Sequence, residues 1–240
     1  MSVYAFSIEN FRRSEEEVEA LMRLAEEKLC EIAERLGDAR DKGVRVRVLG
    51  DLALLPAGVR SAAARAEAAT AANEGATLNI CLSYTARHEI AQAVHRAAGE
   101  MAVEAEVPSA GDGGARAHCA CALGAGAQDA GAGKSADGAE GLIERALMTD
   151  ADAPVDLLIR TSGETRLSDF MLWQVGFAVL VFMDVLWPDF SFRHLLWALL
   201  QYQRHAEAAG DAREAFRANT AQRDDAASGV GEDSSGSDVA

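Results

Sequence analysis

Five short apolar runs, separated by stretches with helical period, restrict this chain to one broad class of architecture. Val44-Arg45-Val46-Arg47-Val48-Leu49 and Leu78-Asn79-Ile80-Cys81-Leu82-Ser83-Tyr84 alternate apolar and polar residues, 155–159 and 178–183 are nearly continuously apolar, and a fifth run begins at Ser2. Runs of this length with alternation or β-branched content read as strands, the last two as strands buried on both faces. Between them Val18, Leu21, Met22, Ala25, Leu29, Ile32, Ala33 and Leu36 recur at three- and four-residue steps behind a Ser14/Glu17 capping box, which predicts a long amphipathic helix. Further helices are expected over 57–72, 89–103 and 192–208, with a shorter one over 169–176. Strands that alternate with helices imply an α/β fold, a mainly parallel central sheet flanked by helices. Ligands of such sheets sit at the carboxyl ends of the strands.

Charge divides the chain further. With 38 acidic against 23 basic residues the net charge is −15, and such a surface repels phosphate backbones unless its basic residues are gathered at one site. Bulk nucleic-acid binding is excluded on that ground. Segments 103–153 and 207–240 carry −6 and −5 of the total and Phe216 is their sole aromatic residue, so the remainder is near neutral. Within the first, about 107–141 is rich in Gly and Ala and poor in large apolar side chains, and it reads as a mobile insertion. The expected organisation is a domain over 1–206 containing that insertion, then an acidic tail over 207–240, disordered from about Ala221. Gln174 and Asp184 interrupt or bound the most apolar stretch, 170–187, so no transmembrane segment is expected. Nor does the N-terminus show a basic region followed by a long apolar run. Four cysteines in 240 residues suggest a reducing compartment.

Two polar clusters follow predicted strands. One is Ser7-Ile8-Glu9-Asn10-Phe11-Arg12-Arg13; the other is Arg160-Thr161-Ser162-Gly163-Glu164-Thr165-Arg166-Leu167-Ser168. Guanidiniums at Arg160 and Arg166 can fork onto phosphate oxygens, Gly163 permits close backbone approach, and Ser168 offers a hydroxyl where a helix is expected to start. A diphosphate suits this pattern. Pairing of Glu9 and Glu164 with the arginines would suit it equally, and spacing does not choose between the two. The chain has no Gly-rich loop followed by Lys and no G-x-G-x-x-G turn, which removes support for nucleotide-dependent phosphoryl or hydride transfer. His118-Cys119-Ala120-Cys121 lacks a second ligand pair at zinc spacing. Packing is the default for Cys30, Cys81 and the aromatic group from Phe170 to Trp197, and a surface or packing role for the histidines.

The strings VYAFSIENFRRS (3–14), VRVLGDLALLP (46–56), LNICLSYTARHEI (78–90), DLLIRTSGETRLSDFMLWQ (156–174) and VLWPDF (185–190) together resemble the cis-prenyltransferases, most closely the eukaryotic dehydrodolichyl diphosphate synthase catalytic subunits. The resemblance implies extension of an allylic diphosphate, farnesyl diphosphate, by isopentenyl diphosphate units with cis double bonds, feeding dolichol synthesis, with Mg2+ assisting departure of the allylic diphosphate. The family's isopentenyl diphosphate grip maps onto Arg160, Arg166 and Ser168, with Arg13 reaching the same region and Asn10, Glu9 and Glu164 in support. A hydrophobic tunnel is implied along the apolar side of the helix that follows Ser14, although periodicity alone describes a filled core equally well.

Three departures from the family pattern qualify these expectations. Family members carry an upstream Asp-Gly-Asn segment with the metal-binding Asp, and this chain begins after it. The 240 residues are therefore expected to lack the first strand, the allylic site and the metal ligand, to be inactive alone, and to leave the catalytic residue unassigned. Val179 stands where bacterial members place a metal-assisting Glu, as in eukaryotic catalytic subunits. The C-terminal Arg-x-Gly ending is missing, which implies a heteromer with a Nogo-B-receptor-like subunit, or else a homodimer, at the cytosolic face of the endoplasmic reticulum. The competing expectation is a non-catalytic accessory subunit of the same complex.

Overall fold

The computed structural model describes residues 1–36, 43–105, 139–149 and 154–228. The centre of the expected insertion, with its His118-Cys119-Ala120-Cys121 segment, lies outside these residues. Five strands form: β1 (Ser2–Ser7), β2 (Val44–Leu49), β3 (Ala76–Tyr84), β4 (Leu157–Arg160) and β5 (Val179–Phe182). All pairings are parallel, as expected, but the strands divide into two sheets, β1-β3-β2 and β4-β5. Five α-helices accompany them: α1 (Glu15–Leu36), α2 (Ala57–Thr70), α3 (Ala86–Ala105), α4 (Ala139–Ala146) and α5 (Phe192–Ser228).

Helices α1 and α2 cover one face of the three-stranded sheet. Met22 and Leu29 of α1 meet Phe6, Val48 and Leu82 of the strands, and the small buried side chains Ala62, Ala63 and Ala66 let α2 approach closely. On β3, Ile80 and Leu82 face this cluster, whereas Cys81 faces a second one built with Leu49, Leu158, Met171 and Val175. Strict alternation would send Tyr84 to the side of Leu82. Ser83 sits in the left-handed region at φ 52°, which turns the chain so that Tyr84 joins Cys81 instead. This second cluster holds the two sheets together.

The outer edge of β2 is sealed by side chains. Thr70 Oγ1 accepts from Val46 N at 3.0 Å, Glu67 Oε1 accepts from Val48 N at 2.8 Å, and Asn73 Nδ2 donates to Val44 O at 2.7 Å. Three of the outward backbone groups that would otherwise invite another strand are thereby satisfied. Gly50 completes the turn out of β2 at φ 141°, where a Cβ would lie 2.0 Å from Leu82 O.

Three expectations are corrected. Residues 169–176 form successive turns, because Ser168, Asp169 and Met171 adopt φ of 50°, 60° and 48° and break the helical run. No helix starts at Ser168. Strand β5 is not buried on both faces: it is an edge strand, and Leu180 is 40% exposed while Val179 and Val181 pack toward α5. Finally, α5 continues twenty residues past the expected end, which places 207–228, including the start of the expected disordered tail, in helix. The extension is docked: Arg213 donates to Asp156 Oδ1 and Val155 O, both at 3.1 Å, Phe216 meets Phe177 at 5.1 Å, and Thr220 Oγ1 reaches Glu140 at 3.4 Å. Residues 229–240 lie outside the described set.

Two predictions follow from these contacts. Thr70→Val keeps the shape but strips Val46 N of its buried acceptor, so the protein should lose about 1–3 kcal/mol in denaturant unfolding; an unchanged midpoint would refute the sealing role. Cys81 is fully buried, and burial, reinforced by the Glu89 carboxylate, pushes its thiol up to about 12 from an ordinary 9.0. The unfolded chain ionises first, so this group's contribution to stability is intact below pH 9 and is lost as the pH rises toward 12. Iodoacetamide at pH 8 should therefore label Cys81 only after denaturation, which peptide mapping would show.

Candidate functional site

The carboxyl ends of β1, β3 and β4 converge on one region, and each contributes a polar segment. After β1, Ser7 and Asn10 form a reciprocal cap: Asn10 Oδ1 accepts from Ser7 N at 2.9 Å and Ser7 Oγ accepts from Glu9 N at 3.2 Å. Asn10 thus orders a short 3-10 turn over Ile8–Arg12 and fixes where Glu9 leaves it. Arg13 lies beyond the turn and pairs with Glu17 on the first turns of α1 at 2.5 Å.

After β4 the chain enters an unusual loop. Ser162, Gly163, Ser168, Asp169 and Met171 all have positive φ between 48° and 72°. Left-handed backbone costs each non-glycine residue of the order of 1 kcal/mol or more and persists only where the surroundings impose it. Here Ser162 N donates to Val185 O at 2.7 Å, Gly163 N to Met183 O at 2.9 Å, and Ala86 N to Asp169 O at 2.8 Å. Gly163 has no freedom for a side chain, since a Cβ would fall 2.9 Å from Asp184 Oδ1.

The two open readings of the arginines divide between residues. Arg166 pairs with Glu164, so that guanidinium is balanced by its neighbour. Glu9 pairs with neither Arg160 nor Arg166; its partner is Arg87, from the first turn of α3, at 3.4 Å. Arg160 is different again. Its Nη2 reaches Ser168 Oγ at 3.4 Å, its Nε is buried without a hydrogen-bond acceptor, and among the described residues it pairs with no carboxylate. A half-buried guanidinium with a dry, unsatisfied donor is costly unless an anion completes it. Ser83 Oγ, Gln174 Oε1 and, farther back on β3, Asn79 Oδ1 are likewise buried without a partner among the described residues.

Beneath the loop lies a polar network that spacing did not reveal. Glu89 is fully buried and accepts from Tyr84 OH at 2.5 Å, Met148 N at 2.8 Å and Gln174 Nε2 at 2.9 Å, and Gln174 Nε2 also meets Thr149 Oγ1 at 2.9 Å. Burial, then the Glu89 charge and hydrogen bond, raise the Tyr84 phenol far above its ordinary range, so it acts as a fixed donor. Tyr4 stacks on Phe170 at 4.7 Å and donates to Tyr84 O at 3.1 Å, and burial raises its phenol too. Arg87, Asp169 and Glu89 were missed because only the ends of β1 and β4 were read for charge; Arg87-His88-Glu89 after the third strand carries the same signal.

An apolar cavity of about 220 Å³ separates α1 from the sheet, lined by Phe6, Leu21, Met22, Leu29, Ile32, Ile80 and Leu82 with Lys28 at its rim. Among the described residues no three His, Cys, Asp or Glu side chains converge as a cation site. These residues do not by themselves fit the magnesium that the resemblance implies.

Comparison with known proteins accords with this architecture. A family model described as "Putative undecaprenyl diphosphate synthase" matches residues 1–210. The chain is 39% identical over 216 residues to the human dehydrodolichyl diphosphate synthase complex subunit DHDDS, covering 90% of this chain and 57% of that protein. It is 39% identical over 210 residues to an isoprenyl transferase of Geobacillus kaustophilus, covering 88% and 70%. Thus it spans little more than half the length of the human relative. The crystal structure of lavandulyl diphosphate synthase from Lavandula x intermedia, in complex with dimethylallyl diphosphate, superposes with a TM-score of 0.65 at 30% identity, covering 84% of this chain and 74% of that one. With its parallel strands, its strand-end arginines and these matches, the chain belongs to the undecaprenyl diphosphate synthase family of cis-prenyltransferases.

Proposed function

We propose that this chain is the catalytic part of a cis-prenyltransferase that condenses isopentenyl diphosphate onto an allylic diphosphate such as farnesyl diphosphate and makes long polyprenyl diphosphates of the dolichol type. The observation that carries this reading is Arg160, a buried-donor guanidinium without a carboxylate partner at the end of β4. An isopentenyl diphosphate headgroup supplies the missing acceptors. Arg166 and Ser168 border the same loop, and Arg13 would exchange Glu17 for phosphate oxygen. The condensation joins the terminal alkene carbon of isopentenyl diphosphate to the first carbon of the allylic chain, breaks that carbon's bond to diphosphate, and releases a proton from the isopentenyl unit. What these residues contribute is position: a headgroup held on two loops fixes the alkene relative to the electrophile. The growing chain would enter the apolar cavity beneath α1, which at about 220 Å³ must widen to hold a long product.

The same reading assigns a partner. Leu186, Trp187, Phe192, Leu196, Trp197 and Leu200 are exposed along the start of α5 and the segment before it, beside Leu180 on the open edge of β5. A patch of this kind is usual for an assembly face, and we assign it to a related subunit of the Nogo-B-receptor type, with a second copy of this chain as the alternative occupant. DHDDS is itself described as a complex subunit. No helix among the described residues is long and apolar enough to cross a membrane, and we place the assembly at the endoplasmic reticulum, with the partner as its attachment. Magnesium dependence would come with the family's metal site.

In the assembled full-length enzyme, Arg160→Ala should raise the KM for isopentenyl diphosphate by about 10–100-fold, the loss of a charged hydrogen-bond partner, and leave the KM for farnesyl diphosphate near its original value. An unaltered isopentenyl diphosphate KM would remove the assigned role. Binding without any incorporation of labelled isopentenyl diphosphate by the wild-type assembly would favour the accessory-subunit reading. Trp197→Asp combined with Leu180→Asp should shift light-scattering mass toward the single chain; a mass that stays at the assembled value places the interface elsewhere.

A further inference from the structure

We propose that Arg87 is a positioning residue that locks the strained loop after β4 into the shape that presents Ser168 and Arg160 to substrate. The proposal rests on the functional reading above. Arg87 lies in the first turn of α3 and touches two other elements. Its Nε donates to Asp169 Oδ2 at 2.9 Å and its backbone N–H donates to Asp169 Oδ1 at 3.1 Å, so one residue occupies both oxygens of one carboxylate. Its Nη2 extends to Glu9 Oε1 at 3.4 Å on the turn after β1. The backbone reinforces the link, because Ala86 N donates to Asp169 O at 2.8 Å. Asp169 therefore caps α3 from outside the helix, where negative charge meets unpaired N–H groups and the positive end of the helix dipole.

The two arms differ in strength. Arg87 is 72% exposed and Glu9 58%, so at 3.4 Å that arm is a screened surface pair worth little. The Asp169 side chain is only 11% exposed, and a carboxylate held by two donors there is tightly placed. Its conformation matters because Asp169 stands at φ 60° directly after Ser168 at φ 50°. Two consecutive left-handed residues relax toward ordinary backbone unless something fixes the second. If Asp169 relaxes, Ser168 rotates and its hydroxyl leaves Arg160 Nη2, now 3.4 Å away. Arg87 thus acts on the headgroup site through Asp169 and Ser168.

The test uses Arg87→Gln, Arg87→Lys and the near-isosteric Asp169→Asn. Hydrogen exchange is measured on this chain, and steady-state kinetics with isopentenyl and farnesyl diphosphates on the assembled full-length enzyme. Arg87→Gln should speed amide exchange in peptides covering 162–171 by about tenfold, leave those of α1 and α2 unchanged, and raise the isopentenyl diphosphate KM by about tenfold. Its kcat and farnesyl diphosphate KM should stay within about twofold. Arg87→Lys, which keeps the charge, should recover part of both effects, and Arg87→Gln/Asp169→Asn should be no worse than the worse single variant. A general structural defect would instead speed exchange throughout and lower the melting temperature without separating the two KM values. Unchanged exchange over 162–171 in Arg87→Gln overturns the proposal, as does unchanged exchange in Asp169→Asn should Arg87→Gln not fold. Wild-type enzyme that fails to bind isopentenyl diphosphate sinks the functional reading, while the exchange result still decides whether the lock exists.

Discussion

Parallel pairing governs this molecule because two parallel neighbours cannot be joined by a hairpin. Each strand must return through a crossover, and in this chain α1, α2 and α3 supply or begin those crossings. All loops that leave strands β1, β3 and β4 therefore open on the same side, and residues as distant in sequence as Glu9, Arg87 and Asp169 meet there. The cost of the arrangement is exposed sheet edge, which the chain handles unevenly. Strand β2 is closed by Glu67, Thr70 and Asn73, whereas β5 keeps an open edge beside the apolar start of α5. Of the four outer edges of the two sheets, that of β2 carries three side-chain hydrogen bonds, whereas that of β5 lies in the region we propose for assembly.

The loop over 162–171 concentrates backbone strain within hydrogen-bonding distance of Arg160, which pairs with no carboxylate among the described residues. Four non-glycine residues in left-handed conformations together cost several kcal/mol, of the order of 1 kcal/mol or more for each. The anchors that hold them come from Met183, Val185 and the start of α3, so the loop is fixed from β5 and from α3 at once. Arg160 is thereby kept apart from Glu164: the acid is taken by Arg166, and Arg160 is held toward Ser168. On the proposed reading such preorganisation would spare the substrate the cost of ordering the site as it binds.

Much of this was legible in the residues. The β-period runs gave all five strands, and the Ser14 capping box located the start of α1, because both signals are local and the tertiary structure does not oppose them. The end of α5 was not legible: 207–228 is acidic and nearly without aromatic residues, and its helicity rests on Arg213, Phe216 and Thr220 meeting Asp156, Phe177 and Glu140, partners remote in sequence. Nor was the turn structure over 169–176. Its apolar spacing is helical, and only the tertiary pull of Ala86 and Arg87 on Asp169 explains why the chain turns left-handed there. The arginine cluster after β4 was visible as a set of charges, yet which guanidinium is balanced depends on side-chain directions that spacing does not encode. Glu89 was hidden for a related reason, since a glutamate in an amphipathic helix reads as surface until its three buried donors are known.

The net charge of −15 bears on how an anionic substrate would be recognised. Long-range attraction cannot steer a diphosphate to this protein, because the summed field has the wrong sign. At physiological salt, however, the Debye length of about 8 Å confines that repulsion to near neighbours, and on the proposed reading a headgroup would meet Arg160 at the end of β4, Arg166 after it and Arg13 after β1. Two of these already hold glutamates, Glu164 and Glu17, whereas Arg160 pairs with no carboxylate among the described residues and its Nη2 reaches the Ser168 hydroxyl. On the proposed reading, recognition would begin at Arg160 and spread as phosphate oxygens displace the two carboxylates. Such a sequence discriminates against singly charged anions, which can satisfy the first guanidinium but have too little charge to compete for the others. On that reading the glutamates would contribute to selectivity: by occupying the second and third arginines, they would set a threshold that a diphosphate crosses and a simple carboxylate does not.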